Sequence, residues 1–365
     1  MEFPRVIIAV IAVVVGVAWF LIKRDRRDVV QATMSSDNSF SEKSELYSQV
    51  FYDSIAGLEI KQQSFVLLKH LLRQHIVGMD EFLHALFVAL LIPKGHVLVE
   101  WVPWLAKTKT IASLARALDL SFGRIQCTPD ILPGDITGSE IFDATSQQFV
   151  AMKGPLFAQV ILADELNRTT PKVQSALLEA MEEQQVTIWN ETFPLPQPFF
   201  VLATQNPLEQ EGTYSLPEAQ VDRFIFKVLL SYPDHKDEQK MLSLIEHEEA
   251  VKQADMSAEH ILWWQQEVQK VTVSSDLEAY IIQLVNATRQ SELFRYGASP
   301  RASIALVKAS KAVARLAWRD HVEQADIQAV ALLVLRHRVV PHYEVQAANK
   351  HIDTVLVWVL QWVTA

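Results

Sequence analysis

Residues 160–165 read Val-Ile-Leu-Ala-Asp-Glu, an apolar run ending in two adjacent carboxylates. The run predicts a buried strand, and carboxylates at its C-terminal end cost desolvation unless a cation or a water needs them. One of Asp164 and Glu165 could hold Mg²⁺ through its shell, and the other could orient or activate a water. Read alone, the pair is equally a strand running into a solvated acidic turn.

A second chemical signal follows another apolar run. Trp101-Val102-Pro103-Trp104-Leu105-Ala106-Lys107-Thr108 lies directly after a predicted strand and opens a predicted helix, Thr110 to Leu118. Lys107 and Thr108 stand where a phosphate-binding loop places a phosphate-gripping lysine and a Mg²⁺-binding hydroxyl, at a helix N-terminus whose free N–H groups favour anions. A G-x-x-x-x-G-K-[ST] loop would carry glycine at 101 and 106, and here those positions are Trp101 and Ala106. A third polar set sits at predicted strand ends: Thr204, Gln205 and Asn206, then Asp222 and Arg223. Arg301 opens a later helix. Taken singly, Asn206 before Pro207 reads as a turn, Arg223 as a surface ion pair and Arg301 as a helix-start charge.

The elements that must position these residues follow from apolar periodicity. From Ile76 to Pro233 short apolar runs alternate with helical stretches, the pattern of a helix-flanked, mostly parallel sheet. The predicted strands are His96–Glu100, Ser121–Thr128, Gln159–Asp164, Phe199–Thr204 and Phe224–Leu230. From Asp234 to about Arg338 no strand pattern recurs, and helical spacing returns in Glu238–Val251, Ser275–Gln290 and Ser299–Ala317, which predicts a smaller helical domain. Asp353–Val363 is a short apolar helix or strand.

Composition narrows the class. With 365 residues, half of them hydrophobic and a net charge of −10, the chain can bury a sizeable core, and no nucleic-acid partner is expected of so acidic a surface. The single cysteine, Cys127, excludes an intrachain disulfide framework and a cysteine-based zinc cluster. Val6 to Ile22 is an unbroken apolar run, followed by Lys23, Arg24, Arg26 and Arg27 against a single earlier Arg5. That asymmetry predicts a single-pass anchor in the inner (cytoplasmic) membrane with the bulk of the chain in the cytoplasm. The expected organisation is an anchor over 1–24, a serine-rich linker over 25–45, an α/β core over 46–233, a helical domain over 234–341 and a tail over 342–365.

Several stretches, in order, resemble the MoxR family of AAA+ ATPases: Ile125-Gln126-Cys127-Thr128-Pro129-Asp130, Leu162-Ala163-Asp164-Glu165-Leu166-Asn167-Arg168, Gln174 to Glu183, Ala203-Thr204-Gln205-Asn206-Pro207, and Glu209 to Tyr214. The resemblance implies an AAA+ P-loop NTPase core with a mostly parallel sheet and a small all-α lid, here preceded by one transmembrane helix. It implies ATP and Mg²⁺ as cofactors, Asp164 and Thr108 serving the metal, Glu165 polarising the hydrolytic water and Asn206 helping to place it. Arg223 matches the arginine that reaches into a neighbouring subunit's site, and Arg301 the second-sensor arginine of the lid. Val77, Gly78, Trp101, Trp104, Ala106, Lys107 and Thr108 would line the nucleotide. Ile141–Pro155 and a hairpin over Val186–Leu195, turning at Asn190-Glu191, resemble inserts that face a ring's pore or a client. A homo- or hetero-oligomeric ring, usually of six subunits, and a partner carrying a von Willebrand factor A domain follow from the same resemblance.

One segment departs from the family pattern. All three loop glycines are replaced, by Trp101, Trp104 and Ala106, and Met79 stands where the family has glutamine. A glycine there lets backbone N–H groups approach phosphate without a Cβ in the way. A left-handed non-glycine residue costs roughly 1–2 kcal/mol. Three such positions would weaken a micromolar site to between about 0.1 mM and tens of mM. The sequence therefore carries two expectations: an ATP-hydrolysing remodeller of partner complexes, or a pseudo-ATPase scaffold or ring subunit that binds nucleotide poorly.

Overall fold

The computed structural model describes residues 68, 79–101, 111, 114–145, 147–206, 213–230, 235–239, 257–348 and 351–364. Its elements begin with helix α1 (Asp80–Leu90) and strand β1 (Val97–Trp101), then β2 (Phe122–Gln126). A short helix α2 (Pro133–Thr137) leads into the hairpin β3 (Gly138–Asp143) and β4 (Gln148–Lys153). Strand β5 (Val160–Asp164) runs through a 3₁₀ turn, Leu166–Arg168, into helix α3 (Pro171–Glu183). A second hairpin, β6 (Gln185–Ile188) and β7 (Glu191–Pro194), precedes β8 (Phe200–Gln205), the short helix α4 (Glu218–Val221) and β9 (Phe226–Leu230).

Five of these strands make one parallel sheet in the order β2-β5-β8-β1-β9. Parallel strands need crossovers, which cover both faces and make the central strands apolar throughout. Every residue of β5 is buried, and so are Phe200 to Thr204 of β8. The α1 face of the sheet packs Phe82, Leu86 and Leu90 against Val97, Val99 and Phe226. The α3 face packs Leu177, Leu178 and Met181 against Ile161, Ala163 and Val201. All five predicted strands are present, each within two residues of its predicted ends.

The C-terminal part is helical: α5 (Ala258–Lys270), α6 (Ser275–Gln290), α7 (Pro300–Leu316), α8 (Gln324–Leu335), α9 (Tyr343–Ala347) and α10 (Ile352–Thr364). Ser274 caps α6 by accepting the Leu277 N–H, and Pro300 opens α7 at a position that needs no N–H donor. A parallel α/β core followed by a helical lid is thus the architecture, as expected. The lid does contain a strand pair that the apolar pattern missed, β10 (Phe294–Tyr296) with β11 (Val340–Pro341). A three-residue strand is too short to show alternation.

Two further expectations change. The second hairpin pairs Ile188 with Glu191, so it turns at Trp189-Asn190, with Trp189 at φ 56°, rather than one residue later. The expected single-pass, inner-membrane location is corrected as well. Among the described residues no helix is long and apolar enough to cross a membrane, and Val6–Ile22, which carried that expectation, lies outside them. The C-terminal α10 is apolar, but its 13 residues span about 20 Å, short of a hydrocarbon core of about 30 Å.

Candidate functional site

The carboxylates Asp164 and Glu165 close β5 at the C-terminal edge of the sheet, where open α/β folds bind ligands. The neighbouring strand β8 is in register, Ala163 beside Ala203, so the next residue on each strand, Asp164 and Thr204, also meet. The Thr204 hydroxyl donates to Asp164 Oδ1 at 2.7 Å and accepts the Glu165 backbone N–H at 2.9 Å. One side chain with no exposed surface therefore fixes both acids.

On the other side, β2 places Arg124 against Asp164, with Nη2 3.1 Å from Oδ2 and 2.6 Å from Gln126 Oε1. Glu165 turns the chain in the left-handed region, φ 60° and ψ 47°, and its Oε2 accepts from Arg168 Nη1 at 3.1 Å. A left-handed glutamate costs about 1–2 kcal/mol, and strain of this kind persists only where surrounding bonds over-determine it. Here the Thr204 hydroxyl and the Arg168 N–H, 2.8 Å from the Glu165 carbonyl, hold the turn.

Asn206 joins this cluster through Asn167. The Asn167 amide donates to the Asn206 carbonyl at 3.3 Å, while the Asn206 N–H donates to Asn167 Oδ1 at 3.4 Å. Both asparagines are buried. Gln174, fully buried at the start of α3, donates from Nε2 toward the carbonyls of Thr169 at 3.2 Å and Tyr214 at 3.1 Å, binding the acidic turn to the segment beyond it. Cys127 donates its N–H to the Asp164 carbonyl at 2.9 Å. Burial, reinforced by the charges of Asp164 and Glu165, pushes its thiol up to about 12.

Asp164, Glu165 and Asn206 are thus brought together, whereas Arg223 and Arg301 are not brought to them. Arg223 precedes β9, and Ile225 donates its N–H to the His96 carbonyl at the start of β1. That is the opposite end of the sheet from Asp164. Arg223 lines a cavity of about 220 Å³ shared with Glu179, Glu182 and Glu183 of α3 and with Gln220. Arg301 sits in the first turn of α7, two residues after Ser299, whose hydroxyl donates to Asp222 Oδ2 at 3.0 Å. The lid helix start and the segment around Arg223 are therefore neighbours.

Of the expected nucleotide-lining residues, Val77, Gly78, Trp104, Ala106, Lys107 and Thr108 lie outside the described residues. The backbone of Trp101 is described: it is the last residue of β1, paired with Leu230. An extended strand residue needs no left-handed conformation, so the strain argument loses one of its three positions. Two remain, worth roughly 2–4 kcal/mol.

The donor set suits Mg²⁺ of one kind. Among the described residues no cluster of three or more His, Cys, Asp or Glu could cage a metal. A paired carboxylate at a strand end fits an ion carried largely by phosphates and waters, with one protein acid in its shell.

Sequence reasoning missed Arg124 and Gln174 as parts of the cluster, and it named Thr204 and Asp222 only as polar residues at strand ends, without their partners. Arg124 carried a signal, being a charged residue inside an apolar strand.

Residues 96–226 match the family described as ATPases associated with various cellular activities (AAA), and residues 286–356 match the AAA lid domain. The chain is 47% identical over 261 residues to YeaC of Bacillus subtilis, a protein of uncharacterised function, covering 71% of this chain and 82% of YeaC. It is 41% identical over 297 residues to Chaperone MoxR1 of Mycobacterium tuberculosis, covering 79% of this chain and 78% of that protein. A crystal structure of a candidate ATPase from Cytophaga hutchinsonii superposes with a TM-score of 0.77 at 40% identity, over 88% of this chain and 98% of that one. Parallel strand order, paired acids on β5, helical lid and these relatives agree: the chain belongs to the MoxR family of AAA+ ATPases.

Proposed function

We propose that this protein couples ATP binding and hydrolysis to the remodelling or maturation of a partner protein complex, working as an oligomeric ring. The observation that carries the reading is the cluster Asp164, Glu165, Thr204 and Asn206 at one end of the sheet, with Arg223 at the other. In this reading Asp164 and Thr108 would hold Mg²⁺, which would neutralise phosphate charge. Lys107 would grip the phosphates, Glu165 would polarise the attacking water and Asn206 would help to place it. Arg223, too far round the sheet to serve its own acids, would complete a neighbour's site by neutralising charge on the transferred phosphoryl group. Arg301, on the lid helix whose start Ser299 ties to Asp222, would serve as the second-sensor arginine.

Two projecting hairpins would meet the partner. The β3–β4 hairpin exposes Phe142 and Phe149 on one face and Ile141 and Met152 on the other, and Trp189 is 75% exposed at the tip of the β6–β7 hairpin. Large apolar groups held out on both faces of a hairpin need a covering surface. Chaperone MoxR1 carries its role in its name, and a client of this chain belongs to the same proposal. The partner implied by the resemblance carries a von Willebrand factor A domain.

A second reading, a pseudo-ATPase scaffold, is favoured by a specific observation. Both acids are already ion-paired, Asp164 with Arg124 and Glu165 with Arg168, and the loop after β1 lacks its glycines. Isothermal titration of ATP with Mg²⁺ into the protein, beside a W101G/W104G/A106G variant, separates the two. Micromolar binding with turnover by the native chain supports the ATPase; binding by the glycine variant alone supports the scaffold.

A further inference from the structure

Residues 336–338 of the lid grip the segment that carries Arg223, more than a hundred positions earlier. The Arg338 side chain is 3% exposed and its Nε donates to Asp222 Oδ1 at 2.6 Å. A single nitrogen, Nη2, donates to the carbonyls on both sides of Arg223, that of Asp222 at 3.0 Å and that of Phe224 at 2.7 Å. Nη1 reaches the Ile225 carbonyl at 3.1 Å and ties back to Val334 on α8 at 2.6 Å. Next to it, His337 Nε2 lies 3.0 Å from the same Phe224 carbonyl, and Arg336 donates to the Lys227 carbonyl at 3.2 Å. The second Asp222 oxygen is taken by Ser299, at the start of the helix that carries Arg301.

A buried guanidinium that spends all three nitrogens on one short segment is more than lid packing requires. Its planar fork holds the peptide before Arg223 and the peptide after Phe224 at once, bracketing the Arg223-Phe224 pair, which a lysine or a hydrophobic side chain could not do. The segment so fixed is the one that presents Arg223.

We propose that Arg338 is a positioning residue for Arg223, and that with Ser299 it clamps Asp222 so that the lid and the Arg223 segment move as one body. A movement of the lid would then displace Arg223 against the neighbouring site, linking the lid position of one subunit to turnover at the next. This rests on the reading of Arg223 as a residue acting in trans.

The test is turnover in mixed rings of the full-length protein, with Arg223→Ala, Arg338→Lys, Ser299→Ala and Glu165→Gln variants. Glu165→Gln subunits cannot hydrolyse but keep an intact Arg223. Arg338→Lys alone is expected to lower kcat about tenfold or more, with ATP affinity unchanged, as for a misplaced reactive group. Mixing it with Glu165→Gln restores turnover, because the intact Arg223 now serves the Arg338→Lys site. Ser299→Ala, which removes the one hydrogen bond to Asp222, gives a smaller kcat loss and the same rescue. If Arg223→Ala is rescued by Glu165→Gln but Arg338→Lys and Ser299→Ala are not, the clamp is overturned and the trans reading stands. If Arg223→Ala is not rescued, the trans reading falls, and this inference with it. Should the native ring turn over no ATP, amide exchange across 222–226 decides the clamp: faster exchange in Arg338→Lys keeps it, and unchanged exchange removes it.

Discussion

The Thr204 hydroxyl donates to Asp164 Oδ1 across 2.7 Å from the adjacent strand. A hydroxyl has one hydrogen, so this donation leaves a lone pair for the Glu165 N–H, and one side chain sets the geometry of both acids. Thr204→Val should remove the hydroxyl's bonds to a buried carboxylate and to the Glu165 N–H, costing about 1–3 kcal/mol. Thr204→Ser keeps the hydroxyl and should keep most of the stability. Urea unfolding of the three proteins checks the order, and equal midpoints for native and Thr204→Val would remove the role.

The left-handed backbone at Glu165 predicts an inverted substitution order. At an ordinary position alanine is more stable than glycine, because glycine loses more freedom on folding. At Glu165 glycine should be the more stable by about 1 kcal/mol, since it alone is unstrained there. Thermal unfolding of Glu165→Gly and Glu165→Ala measures this, and both should lack ATP turnover.

Two buried histidines predict acid sensitivity. Burial lowers His96 to about 4, and lowers His337 well below its ordinary value. The unfolded chain binds a proton near pH 6.5 that folded His96 refuses until about pH 4. The unfolded state therefore holds more protons in that window, and stability falls as pH drops through it, by up to roughly 3 kcal/mol for His96. Denaturant unfolding at pH 7 and pH 4.5 should show the loss. His96→Gln, which can accept from the Val201 N–H and donate to the Met181 carbonyl as His96 does, should reduce it and leave the His337 part.

Cys127 should resist thiol reagents. Its sulfur is buried and its pKa is pushed up to about 12, so no thiolate is available at pH 8. Labelling with a maleimide should require unfolding, and fast modification of the native protein would contradict the described packing.

What the sequence by itself determined is what local pattern can encode. Apolar runs such as Val160–Ala163 and Phe200–Ala203 specify buried strands, and two acids directly follow the first of them at the C-terminal edge of the sheet. Helical spacing gave α6 to the residue and α7 to within one. Period and burial are properties of neighbouring residues, so they survive in a single chain read in order. The tertiary structure decided which residues meet. Strand register alone sets Thr204 beside Asp164, and strand order alone sets Arg124 against that same acid. Arg338 reaches Asp222 because the lid folds back on the core, and nothing in either segment's pattern points to the other. The position of Arg223, at the opposite edge of the sheet from its own acids, likewise follows from β9 running parallel to β1. Such pairings depend on the placement of whole elements, which sequence spacing does not record.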